Sequence, residues 1–201
     1  MSKIHYPKGI CPKTEGEAIR KSPSRRKPHL KVKPGNRGMY FEKAINESND
    51  YYKEKGLCLV TKRPTPIDVV KVDYTHGAKI TQAFFATQST TDYNGVYQGR
   101  YMDFEAKSTL SKTSFPLANI PHQQIEHLER VLQQKGIAFF LIQFVSLGKV
   151  YLLPAEYVCR FYRAAPRKSI PLSEIEKNGY PVKEGYRPRY DYLPLIVEHL
   201  L

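Results

Sequence analysis

TDYNGVYQGRYMDFEAK, from Thr91 to Lys107, is the stretch whose reading decides the fold. Its second half, Tyr101-Met102-Asp103-Phe104-Glu105-Ala106-Lys107, reads as a strand. Residues two apart on a strand share a face, so Asp103, Glu105 and Lys107 form one charged row. Gly95 and Gly99 lie between the two halves and permit a tight reversal, which returns Asp92 to the strand carrying Glu105. Such a row either lines a polar cleft or is a solvated strand face, and spacing leaves both open.

The surroundings say what such a cleft would hold. The 201 residues carry 32 Lys and Arg against 19 Asp and Glu, a net charge of +13. A balance that basic points to nucleic acid or an anionic membrane. No apolar run approaches the roughly 18 residues that span a bilayer. A carboxylate site in a polyanion-binding chain fits phosphodiester hydrolysis. That reaction builds negative charge, which divalent metal ions neutralise while lowering the pKa of bound water. Mg²⁺ takes oxygen ligands and keeps several waters, so Asp92 and Glu105 suffice as carboxylates. Lys107, on the face of Glu105, would meet the attacking water or the developing charge.

Other chemistries fit poorly. Cys11, Cys58 and Cys159 are far apart and odd in number, so they read as reduced, packed thiols. His122 and His127 are five apart, poor spacing for a shared metal, and read as solvated helix residues. No Walker loop or Rossmann fingerprint occurs. The start lacks the apolar core of a signal peptide, so a cytoplasmic location is expected.

Working outward, residues 1–36 are rich in Arg, Lys, Ser and Pro and read as a disordered basic arm. Arg25, Arg26, Lys31 and Lys33 are its DNA-binding candidates, with a solubilising tail as the alternative. The remaining residues, 37–201, form one domain. A helix is predicted from Arg37 to Lys55 with Phe41, Ile45 and Tyr52 inward, and Asn36 can cap it. Glu42 borders its apolar face and either faces a site or is solvated. A strand follows from Gly56 to Lys62. Next comes a β-hairpin, Ile67 to Phe85, with prolines at its base. Arg63, Lys71 and Lys79 would suit a projecting finger that meets DNA; an ordinary sheet hairpin is the other reading. Ser108 to Pro116 reads as a polar loop whose Lys112, like Arg37, joins the DNA-binding candidates. A second helix from Asn119 to Lys135 turns Ile125, Leu128, Val131 and Leu132 inward. Its Gln124 either completes a metal shell or is solvated. Strands over Ile137–Phe144 and Lys149–Leu153, a short helix to Phe161, a loop-rich segment and a final helix complete a mixed sheet flanked by helices.

The residues also carry a resemblance. Asn36-Arg37-Gly38-Met39 with Glu42, Lys62-Arg63-Pro64-Thr65-Pro66, Ser89 to Gly95 and Gly99 to Lys107 are similar to elements of the RecU family of Holliday junction resolvases. So are Lys112 to Leu117, His122 to His127 and Gly185 to Tyr192. The resemblance runs from about residue 36 to the end. It implies an α/β, restriction-endonuclease-like mixed sheet flanked by helices, with a protruding β-hairpin stalk at about 66–86. It implies a homodimer that cuts four-way junction DNA symmetrically with Mg²⁺, Mn²⁺ being able to substitute. It also implies work alongside RecA and the RuvAB branch-migration motor. Metal positions carry over to Thr90, Asp92, Glu105 and Gln124, the transition-state lysine to Lys107 and the first-helix acid to Glu42. A related nuclease acting on other DNA, or a non-catalytic basic DNA-binding protein, stands as the alternative.

Overall fold

The computed structural model describes residues 37–86, 90–164 and 168–201, with the side chain of Arg37 outside the description. The basic-arm candidates Arg25, Arg26, Lys31 and Lys33, the cap Asn36 and the Arg37 side chain therefore lie outside the described residues.

Helix α1 spans Arg37–Glu54 and buries Phe41, Ile45 and Tyr52, as its apolar spacing requires. Strand β1 is Leu59–Lys62. Among the described residues the next two strands, β2 (Ile67–Asp73) and β3 (Lys79–Phe85), pair only with each other, as a two-stranded antiparallel sheet. Nearly every residue in them is exposed, Phe85 at 83% and Phe84 at 61%. The reading of this hairpin as part of the main sheet is thereby overturned: among the described residues, no sheet or helix covers its alternating apolar residues.

The motif stretch forms β4 (Tyr93–Tyr97) and β5 (Arg100–Thr109), joined by a turn at Gln98-Gly99. Gly99 has a φ of 79°, where a side chain would be strained. Gly95 has a different role from the one its spacing suggests. It sits inside β4, and a Cβ there would lie 2.2 Å from the Leu59 carbonyl oxygen, so the glycine lets β1 come close.

Beyond β5, β6 (Ser114–Pro116) takes up the end of the expected loop. Helix α2 spans His122–Gln133, starting three residues later than expected. Pro121 disfavours helical dihedrals in the residue before it, and Ile120 is extended. Strands β7 (Ile137–Phe144) and β8 (Lys149–Pro154), then helix α3 (Ala155–Ala164), follow. The chain closes with β9 (Ser169–Pro171), α4 (Leu172–Asn178), β10 (Tyr180–Pro181), β11 (Lys183–Glu184), β12 (Tyr190–Asp191) and α5 (Leu193–His199).

The main sheet has the order β1-β4-β5-β7-β8-β10. Only β5 and β7 run parallel, paired from Met102↔Ile137 to Thr109↔Phe144, with α2 in the crossover between them. The fold is thus a mixed sheet between helices. On one face Phe41, Ile45, Tyr192 and Ile196 from α1 and the C-terminal segment pack on Met102, Phe104 and Ala106. Tyr93, Phe104 and Phe139 stack there with centroids 4.8 and 4.6 Å apart. On the other face Ile125, Leu128, Val158 and Ile175 from α2, α3 and α4 pack on β7 and β8. The C-terminal segment, loop-rich by sequence, is held firmly. The Tyr52 hydroxyl accepts from the Tyr192 and Leu193 amides at 3.0 and 3.3 Å, and Tyr192 donates to Asn49 at 2.5 Å.

Candidate active site

Strand β5 alternates in function along its length. Met102, Phe104 and Ala106 enter the aromatic core, so Asp103, Glu105 and Lys107 must face the other way, toward α2. The charged row expected from the sequence is real, but it is not solvated at its first two members. Asp103 and Glu105 are both fully buried.

Glu105 is the centre of the row. The Asp92 amide donates to its Oε2 at 3.0 Å, which brings the two halves of the motif together. The Lys107 Nζ sits 2.5 Å from Oε1, an ion pair not aligned as a hydrogen bond. Burial pushes the Glu105 carboxyl up to about 8; Lys107 opposes that shift, and the nearby Asp92 adds to it.

Gln124 is 2% exposed, so the solvated reading fails: α2 turns this amide inward with Ile125 and Leu128. Its Nε2 donates to the Thr90 carbonyl at 3.4 Å, and its Oε1 is buried without a protein hydrogen-bond partner. An orphaned buried carbonyl costs about 1–3 kcal/mol, unless something outside the protein accepts its lone pairs. Asp92, Glu105, Gln124 and Thr90 offer oxygen only, the donor chemistry of a hard divalent cation. Among the described residues no three His, Cys, Asp or Glu side chains cluster as a metal set, so the neutral oxygens of Gln124 and Thr90 would have to contribute. The residues present fit such an ion.

The other candidates sit further out. Glu42 is about one-third exposed and pairs with Lys62. Lys71, Lys79 and Lys112 are exposed. Arg63 is not on a finger at all. It lies at the root of the hairpin, its side chain 19% exposed, and binds Asp103 with Nη1 at 3.2 Å and Nη2 at 2.7 Å. His127, read as solvated, is largely covered, with Nε2 2.8 Å from Asp103 Oδ2. Tyr101 and Thr91 also donate to Asp103. Burial alone would raise the Asp103 carboxyl, but the bonds from Arg63, Thr91, His127 and Tyr101 outweigh it and hold it below the usual range. Sequence offered a signal for Asp103, its place on the Glu105 face, and none for its partners. Cys58 and Cys159 are free and buried, their thiols pushed up by burial to about 11 and about 12, as packed thiols should be.

Comparison with known proteins follows the same line. A family model described as RecU, recombination protein U, matches residues 36–198. The chain is 53% identical over 169 residues to the Holliday junction resolvase RecU of Streptococcus sanguinis strain SK36, covering 83% of this chain and 84% of that one. It is 48% identical over 167 residues to the Holliday junction resolvase RecU of Geobacillus sp. strain WCH70, covering 81% and 83%. Among solved structures it is similar to Hjc, a Holliday junction resolvase from Archaeoglobus fulgidus, at a TM-score of 0.41 and 11% identity over 71% of this chain and 94% of that one.

Proposed function

The chain belongs to the RecU family of Holliday junction resolvases, and on that premise we propose that it cuts four-way DNA junctions with Asp92, Glu105 and Lys107 at the reacting phosphate. The observation that carries the chemistry is the pairing of a buried Glu105, tied to the Asp92 amide, with the unpartnered Oε1 of Gln124. Asp92, Glu105, Gln124 and Thr90 would hold a divalent cation, Mg²⁺ in the cell, with Mn²⁺ as a substitute. When bound, the ion supplies charge neutralisation at the phosphate and a water of lowered pKa.

The rest is the protein's own work. Burial raises the Glu105 carboxyl and Lys107 only partly offsets it, so a divalent cation bound there would favour the charged form. Lys107 is 22% exposed, so beside the fully buried acid it is the member of the pair that solvent can reach. Its ammonium stabilises charge that grows on the phosphoryl oxygens, and it is already held in place by Glu105. Glu42 sits at the margin, where Lys62 holds it.

Two nicks at symmetric positions need two equivalent sites, which a two-fold homodimer supplies. Lys71, Lys79 and Lys112, with the basic segment 1–36, would meet phosphates; the hairpin of β2 and β3 would enter the junction as a stalk. Recognition rests on branched shape and backbone charge. Work with RecA and RuvAB, in the cytoplasm, fits a recombination role.

The test is cleavage of a synthetic four-way junction against linear duplex, with Mg²⁺ or chelator. Symmetric nicks in the junction alone, lost with chelator, are expected. Equal cutting of duplex would make the protein a nuclease of other DNA. Binding without cutting would make it an accessory protein.

A further inference from the structure

Three pieces of chain carry the candidate metal ligands. Thr90 and Asp92 lie just before β4, Glu105 on β5 and Gln124 on α2. None of these is joined to another by neighbouring sequence. One buried side chain, itself on β5, touches the other two pieces. Asp103, two residues before Glu105 and on its face, accepts from Thr91, which sits between Thr90 and Asp92. It also faces His127, one helical turn after Gln124, at 2.8 Å.

The fourth arm of this cluster leads to the hairpin. Arg63 stands four residues before β2. Its Nη1 donates to the Thr91 carbonyl and Oγ1 at 3.1 and 2.6 Å, and to Asp103 at 3.2 Å. Its Nη2 donates to Asp103 and to the Tyr101 hydroxyl, both at 2.7 Å. Its backbone N–H donates to the Asp92 carbonyl at 2.8 Å. The strand leading into the hairpin is thus fastened to the segment leaving it, at the residues next to and including the metal aspartate. A guanidinium so occupied has little left for a phosphate.

We propose that Asp103, with Arg63, Thr91 and His127, is a positioning unit that sets Asp92, Glu105 and Gln124 at metal-binding separation and ties that setting to the root of the hairpin. The inference rests on the RecU reading for what the metal does, but not for the geometry. Asp103 acts through its neighbours and need not touch DNA or the ion. Groups that orient ligands in this way typically cost about 10–100-fold in metal affinity or activity when removed.

The experiment uses the full chain and four variants: Asp103→Asn, Arg63→Lys, His127→Ala and His127→Gln. Mn²⁺ binding to the DNA-free protein is measured by titration calorimetry, folding by thermal melting, junction affinity in chelator, and cleavage against Mg²⁺ concentration. His127→Ala and Arg63→Lys should fold, bind junction within about twofold, and bind Mn²⁺ about tenfold or more weakly. Half-maximal cleavage should need correspondingly more Mg²⁺. His127→Gln should recover most of the loss, because its amide can donate to Asp103. Asp103→Asn should be the worst, since it faces Arg63 without a matching charge; if it does not fold, the His127 pair and Arg63→Lys decide. Wild-type Mn²⁺ affinity in folded variants overturns the proposal. So does weakened junction binding with Mn²⁺ affinity intact, which would make Arg63 a DNA-binding residue. Collapse of all four variants would reduce the cluster to a stability element and overturn it too. A wild-type chain that cuts no junction, while the variants still lose Mn²⁺, would sink the junction-cutting reading and leave the positioning unit standing.

Discussion

Glu105→Gln should make the metal-free protein more stable, and the gain should depend on pH. In the folded chain the Glu105 carboxyl titrates near 8 against 4.5 for an ordinary glutamate, mainly because it is buried. The folded state therefore holds a proton that the unfolded state has released. Its contribution is fully present below pH 4.5 and is lost as pH rises toward 8. Each pH unit inside that window removes about 1.4 kcal/mol, so by pH 7 the wild type is burdened by about 3 kcal/mol. Glutamine matches the neutral acid in shape and has no proton to lose. The assay is chemical denaturation in chelator from pH 4 to pH 8. The two proteins should be near equal at pH 4, with the variant ahead by about 3 kcal/mol at pH 7, or roughly 6–12 °C in melting temperature for a chain of this size. Added Mg²⁺ should raise the wild type and leave the variant unmoved. A variant less stable at neutral pH, or a difference flat across the range, would refute the claim that burial holds a proton on Glu105 in the folded, metal-free protein.

Three further outcomes follow from the same geometry. Asp92→Asn and Lys107→Ala should each lower junction cleavage by about a hundredfold or more with junction affinity kept; wild-type turnover by either in Mg²⁺ would remove it from the site. Deleting residues 1–33 should leave melting unchanged and flatten the dependence of log affinity on log salt by about 0.9 for each phosphate the segment neutralises; an unaltered slope would make this segment a solubilising tail. Replacing Val72 to Lys79 with Asn-Gly should leave the fold intact, because the hairpin strands are exposed and stand outside the main sheet, yet abolish the preference for junction over duplex in a competition binding assay; normal resolution by that variant would end the stalk role.

What could be read from the chain was local. Period-two spacing placed Glu105 and Lys107 on one face, and helical spacing placed Phe41, Ile45, Tyr52, Ile125 and Leu128 in the core. The mixed sheet, with the motif hairpin at its middle, followed from element order. What could not be read depended on partners far apart. Gln124 and His127 are polar residues on a helix, and spacing favours water for both. They are covered only because β5 brings Asp103 and Glu105 beneath α2. Arg63 is 40 residues from Asp103, so a basic residue beside a basic hairpin looked like a DNA-binding group. Gly95 looked like a turn residue because nothing near it in sequence reveals that Leu59 will cross within reach of a Cβ.

The two-sided character of β5 limits how this sequence can change. Its apolar side is locked by Tyr93 and Phe139 stacked on Phe104, while its acids point the other way. Inserting or deleting one residue between Gly99 and Glu105 would exchange the sets, turning Phe104 toward α2 and Glu105 into the aromatic core. Insertions at the Gln98-Gly99 tip that leave the pairing of Tyr93 with Phe104 untouched would not. The spacing from Asp92 to Glu105 is therefore free to vary at the tip of the hairpin but fixed in parity along its length. Length variation among working relatives should fall at that turn and nowhere else in the motif.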